Sequence, residues 1–192
     1  SSSSSENSTS SETLLRNYED VLELAKTRLE DNAGDGELHG YIGTILHRMG
    51  NLHDREGRYE KSIQHYVKSL QVRKITKDHK SLGTLLNVMG ISHAKRRHYR
   101  KAMKCFQDAL AMRRHTLGSR HPDVAETLHN VGNCRARMGR WDRAMEAYAE
   151  ALDVKKEVLG KDSISAMKTL HNMGTVHEHR REYDEALRCF GD

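Results

Sequence analysis

Apolar side chains recur at helical spacing along most of this chain. Leu46 and Met49, Leu86 and Met89, Leu128 and Val131, and Leu170 and Met173 each stand three apart just ahead of a glycine, which puts each pair on one side of a helix. Nine residues after each glycine comes a ring: Tyr59, Tyr99, Trp141 and Tyr183. Three residues on is a small side chain (Ser62, Ala102, Ala144, Ala186), and four later a second ring (Tyr66, Phe106, Tyr148, Phe190). Steps of three and four mark one face of a second helix, and Ser69-Leu70, Ala109-Leu110 and Ala151-Leu152 continue it. The pattern predicts four units of two helices each.

The units are repeats. Thr127-Leu128-His129-Asn130-Val131-Gly132 returns 42 residues later as Thr169-Leu170-His171-Asn172-Met173-Gly174. A fixed period of this size marks a stacked-repeat architecture, in which each unit buries its apolar face against its neighbours. Glycine inside a helix costs roughly 1 kcal/mol against alanine. Its return as Gly50, Gly90, Gly132 and Gly174 therefore points to close helix–helix approach.

At the ends the pattern changes. Residues 1–10 are serine-rich and offer little apolar surface, so a disordered, solvated tail is expected there. Thr9 with Glu12 has the spacing of a capping box. Tyr18, Val21 and Ala25 imitate the second-helix anchors, which predicts a capping helix over about residues 11–31 and a loop through Gly36. Repeats are then expected over 37–77, 78–118, 119–160 and 161–192, the last cut short. Pro122 and Asp123 suit a helix start, and Asp78, Asp162 or Ser163 suit the caps of other hairpins.

These residues resemble the tetratricopeptide repeat. The longer period and the Leu117-Gly118 and Leu159-Gly160 extensions of the second helix are similar to the kinesin light chain subfamily. The likeness spans about residues 37–192 and departs where Ser62 and Ser69 replace the usual Ala and Ile164 replaces Pro122. The implied fold is all-α, a right-handed superhelical solenoid of antiparallel helical hairpins with about four repeats plus an N-terminal helix. First helices then line the concave side.

Residues two before, one after and five after each glycine form an inward stripe opposite the apolar one. They are Arg48, Asn51 and Arg55; Val88, Ile91 and Lys95; Asn130, Asn133 and Arg137; and Asn172, Thr175 and His179. Asn87, His129, Lys168 and His171 border that stripe. Amides donate and accept together, so they can hold an extended backbone whatever its side chains. The cations can meet carboxylates or phosphate, and Val88 with Ile91 is expected to form an apolar pocket. The kinesin light chain likeness implies short acidic peptides as ligands. A polar stripe is also what a solvated face looks like; recurrence on stacked helices favours the groove.

Composition narrows the rest. With 32 Lys and Arg against 27 Asp and Glu, the net charge of +5 favours acidic partners weakly. RNA binding by a helical repeat, or a regulatory repeat region of a larger enzyme or nucleotide-switch protein, are the alternatives to a protein-binding scaffold. No phosphate loop, nucleophile motif or paired-carboxylate site is visible, so no enzyme and no cofactor is expected. The 13 histidines show no metal-binding motif, and adjacent first helices, roughly 8–10 Å apart, stand too far apart for a shared site, so no metal is expected. Cys105, Cys134 and Cys189 are an odd set without close pairs, which favours buried thiols and a reducing, cytoplasmic location. No apolar run reaches the ~20 residues needed to span a bilayer.

Overall fold

The computed structural model describes residues 2–191. Among the described residues the secondary structure is nine helices and no strand: α1 (Ser2–Asp31), α2 (Gly36–Arg55), α3 (Tyr59–Ile75), α4 (His79–Lys95), α5 (Tyr99–Leu117), α6 (Pro122–Arg137), α7 (Trp141–Leu159), α8 (Ile164–His179) and α9 (Tyr183–Gly191). They divide into two compact units, Ser1–Leu85 and Leu86–Asp192.

In the first unit, Leu15, Leu22 and Ala25 of α1 pack with Ile42, Ile45, Leu46 and Met49 of α2, with Tyr18 and Leu29 alongside. The buried stripe of α1 therefore steps 15, 18, 22, 25, 29. Val21, expected as an anchor, is exposed, because it sits one position, about 100° of helix, from Leu22. The backbone of α1 begins at Ser2, upstream of the start expected near residue 11, which places Thr9 within the helix. Extending an existing helix adds one hydrogen bond per residue fixed, and serine opposes it only mildly.

The turn inside each repeat is one motif used four times. Arg58 N–H reaches His53 O, His98 reaches His93 O, Arg140 reaches Arg135 O and Glu182 reaches His177 O, each at 2.9 Å. These are the long bonds of a Schellman ending, which needs a left-handed residue just past the helix. Gly57 and Gly139 supply it at φ 72° and 71°, whereas Arg97 and Arg181 adopt it at 59° and 61°. Helix starts are capped by Asp35, Ser163 and, on α6, His121 ahead of Pro122. Asp78 Oδ1 accepts from the Ser81 N–H at 3.1 Å.

The recurrent glycines mark where a first helix meets the second ring. A Cβ on Gly50 would lie 2.4 Å from Tyr66, on Gly90 2.5 Å from Phe106, on Gly132 2.4 Å from Tyr148 and on Gly174 2.5 Å from Phe190. A Cβ would collide with the ring, which therefore packs directly against bare backbone. In the second unit, Ala102, Phe106, Val131, Cys134 and Ala147 form one core cluster, and Ala144, Tyr148 and Val176 another. On α9 only Ala186 is buried, and Tyr183, Leu187 and Phe190 are exposed.

Candidate peptide-binding trough

In the second unit the first helices present the expected stripe towards two adjoining clefts. One, of about 390 Å³, is lined by Ile91, Lys95, Asn130, Asn133 and Arg137 among others. The second, of about 630 Å³, is lined by Asn133, Arg137, Trp141, Asn172, Thr175 and His179 among others. Asn133 and Arg137 belong to both, which makes the clefts one trough. Ile91 lines it and packs on the Phe106 cluster.

Hydrogen bonds fix which way the amides point. Tyr148 Oη donates to Asn133 Oδ1 at 2.7 Å, and Asn172 Nδ2 donates to the same oxygen at 2.8 Å. Both lone pairs of Asn133 Oδ1 are then used, leaving its two N–H donors for a ligand. The second hydrogen of Asn172 Nδ2 goes to His129 Nε2 at 3.3 Å, which leaves Asn172 Oδ1 as an acceptor. Asn130 Nδ2 donates to Asn87 Oδ1 at 3.2 Å.

Behind the amides runs a buried polar chain. Lys155 Nζ donates to Thr169 Oγ1 at 3.1 Å, and Thr169 Oγ1 donates to Ser165 O at 3.1 Å. His129 Nδ1, 3.0 Å from Thr169 Oγ1, must therefore be the donor in that contact, which assigns the neutral Nδ1–H tautomer and leaves Nε2 to accept from Asn172. Burial, with Lys155 nearby, lowers the His129 pKa to about 4, so the ring is neutral at pH 7. Lys155 is itself buried, its pKa lowered by burial and held up by Glu126.

The other expected site residues are distributed as follows. Asn87 and His129 are buried and hold neighbouring amides from behind instead of facing the trough. Thr175 lines the second cleft, its hydroxyl donating to His171 O at 3.1 Å. Lys168 and His171 are exposed, but neither lines the trough; His171 borders a separate apolar cleft with Met167 and Phe190. In the first unit Arg48 and Arg55 are exposed and Asn51 is half-buried, with Asn51 Oδ1 accepting from Tyr66 Oη at 2.7 Å.

Two features were missed from sequence. Tyr66 and Tyr148 stand opposite Asn51 and Asn133, whereas Phe106 and Phe190 share their repeats with Ile91 and Thr175. The hydroxyl and the amide are present or absent together, a covariation between repeats that the sequence already contained. The second is the row of buried cations Arg73, Arg113 and Lys155 at one repeat position. Arg73 bonds Asp78 at 2.7 Å and Arg113 bonds Thr127 at 2.7 Å and Asp123 O at 2.8 Å. Trp141 stacks on His179 with centroids 4.9 Å apart at the trough's edge. Among the described residues no group of three potential ligands could hold a metal, and no helix is long and apolar enough to cross a membrane.

Repeated helical hairpins and an amide-lined trough define an all-α repeat solenoid of the kind that is typically a non-catalytic scaffold. The tetratricopeptide repeat profile matches residues 41–115, 82–157 and 123–192, and the chain belongs to the tetratricopeptide repeat family. Repeats of this family generally mediate protein–protein interaction. Similar solved structures include BtubC (BKLC) from P. vanneervenii, with a TM-score of 0.78 at 18% identity over 93% of this chain and 70% of that one. A putative kinesin light chain from Podosopora anserina, with nearly identical tetratricopeptide-like repeats, gives 0.70 at 13% identity over 94% and 88%. MamA gives 0.62 at 17% identity over 91% and 85%. At such identities the likeness is one of fold. No curated protein sequence matches the chain.

Proposed function

We propose that this chain is a scaffold or adaptor that binds an extended, acidic polypeptide segment in the trough of its second unit. The supporting observation is the division of labour between Asn133, whose oxygen is saturated, and Asn172, whose amino group is used up. One offers donors and the other an acceptor. An extended backbone presents carbonyls and N–H groups in alternation, so a fixed donor beside a fixed acceptor suits it. Lys95 and Arg137 at the rim supply charge for carboxylates. A resemblance to kinesin light chain repeats agrees with a peptide ligand, and a cytoplasmic setting fits the three free thiols.

The test is selection of short random peptides on the chain and, in parallel, on an Asn133→Ala/Asn172→Ala variant. Peptides rich in Asp and Glu are expected on the wild type, with affinity in the micromolar range, roughly −8 kcal/mol, and at least about tenfold weaker on the variant. Trp141, the chain's single tryptophan, lines the trough and reports occupancy by fluorescence. Equal selection on both proteins would overturn the proposal.

A further inference from the structure

Between Asp78 and Asp108 the sequence holds no carboxylate but seven strong cations: Lys80, Lys95, Arg96, Arg97, Arg100, Lys101 and Lys104. That exceeds the net excess of the whole chain, +5, so the positive balance is local, not general. Six of the seven fall on the end of α4, the turn after it and the start of α5.

The placement runs against local electrostatics. A helix start carries partial positive charge and favours acids. Glu60, Asp142 and Asp184 occupy the first turns of α3, α7 and α9, whereas α5 has no acid there and carries Arg100 and Lys101. A sequence keeps such a conflict where something outside the fold compensates it. Arg97, Arg100 and Lys101 are exposed, and none forms an ion pair among the described residues. With His98, Tyr99 and Met138 they surround an open cleft of about 460 Å³. Arg97 and Tyr99 also line the first cleft of the trough, so the two surfaces are continuous.

We infer that Arg97, Arg100 and Lys101 form a cationic ledge that receives the carboxylate-rich part of the bound polypeptide, next to the segment held by the amides. This rests on the trough being a peptide site. The occupant is polypeptide in preference to RNA because the ledge is continuous with the amide trough, and its tyrosine, Tyr99, is half-buried against the Phe106 cluster, so no series of aromatic faces is offered for successive bases to stack on. A membrane is disfavoured because the ledge has no exposed apolar side chain to insert.

The experiment compares the full chain with Arg100→Glu/Lys101→Glu, with the charge-matched control Lys156→Glu/Lys161→Glu, and with Asn133→Ala/Asn172→Ala. The probe is a labelled peptide of alternating Glu and Ser, titrated across a salt series. Single-stranded RNA and vesicles containing anionic lipid are run beside it. Glutamate suits a helix start, so the ledge variant keeps its fold, and its circular dichroism checks this. The ledge pair is expected to lose about tenfold in affinity, with a shallower salt dependence, and the control to lose little. Equal loss in the control would reduce the effect to net charge and overturn the ledge. RNA or vesicles binding more tightly than the peptide, with the same ledge dependence, would also overturn it. If the ledge pair binds normally while the amide variant fails, the ledge falls and the trough stands; in the reverse pattern the trough reading falls and the ledge, which rests on it, falls too.

Discussion

Arg181 holds a backbone conformation that glycine adopts freely. Its φ of 61° lies in the left-handed region, where Gly57 and Gly139 serve at the same turn of other repeats. An L side chain there carries strain of order 1 kcal/mol or more, partly offset by the greater freedom glycine has when unfolded. Arg181 is exposed, so little packing is lost on its removal. Arg181→Gly is expected to raise the unfolding free energy by about 0.5–1 kcal/mol, read from urea midpoints at unchanged slope; a lower midpoint would mean the arginine makes a compensating contact. Residue-level reading reaches as far as helix phase alone carries it. Asn133 is legible because its helix phase alone places it on the inward stripe. Lys155 is not, because a lysine among Asp153, Lys156 and Glu157 reads as surface. Its burial depends on Glu126 and Thr169, which arrive from two other helices.

For helices the contest is between propensity and packing, and two glycines separate them. Gly132 sits inside α6, where alanine would gain roughly 1 kcal/mol of helix propensity, but its Cβ would stand 2.4 Å from the buried ring of Tyr148. The ring cannot retreat from a close-packed interior, so overpacking is expected to win by about 1–3 kcal/mol. Gly40, within α2, has nothing within 4 Å of an added Cβ. Gly40→Ala is therefore expected to stabilise by up to about 1 kcal/mol and Gly132→Ala to destabilise, with thermal melts of the two variants moving in opposite directions. A shift of the same sign in both would show that propensity, not the ring contact, governs these sites. The helices of the repeats were legible because apolar spacing, glycine and ring recur together. The helical serine run at the start of α1 was not, since composition there speaks only of missing core, while the backbone continues a helix set by Leu15, Leu22 and Ala25.

Across the whole molecule, each compact unit encloses a histidine that must stay neutral. His53 in the first and His129 in the second are buried, and burial is the main cause that brings both down to a pKa of about 4 from 6.5. His129 was expected in the binding surface from its place in the repeated Thr-Leu-His-Asn; only the packed partners Thr169 and Asn172 reveal that it works from behind. Because the folded pKa is depressed, the unfolded chain takes up a proton from pH 6.5 downward while the fold declines it until about 4. Stability is thus full above about 6.5, falls as the pH drops through that window and levels off below it. For His129 the whole window is worth on the order of 3 kcal/mol. Carboxylate linkage of the usual kind, such as that of Asp78, whose pKa is lowered, acts below this range and does not mimic it. Urea midpoints are expected to drop between about pH 7 and pH 4.5, and His129→Gln, which keeps a donor and an acceptor without a titrating ring, to flatten that slope for the second unit. Protonation of the folded ring, near pH 4, also removes the lone pair that accepts from Asn172, so peptide affinity should hold through that window, fall only as the pH approaches 4, and lose that dependence in the variant. A wild type with equal midpoints at both pH values would show that His129 is not held neutral by the fold, and the orientation assigned to Asn172 would fall with it.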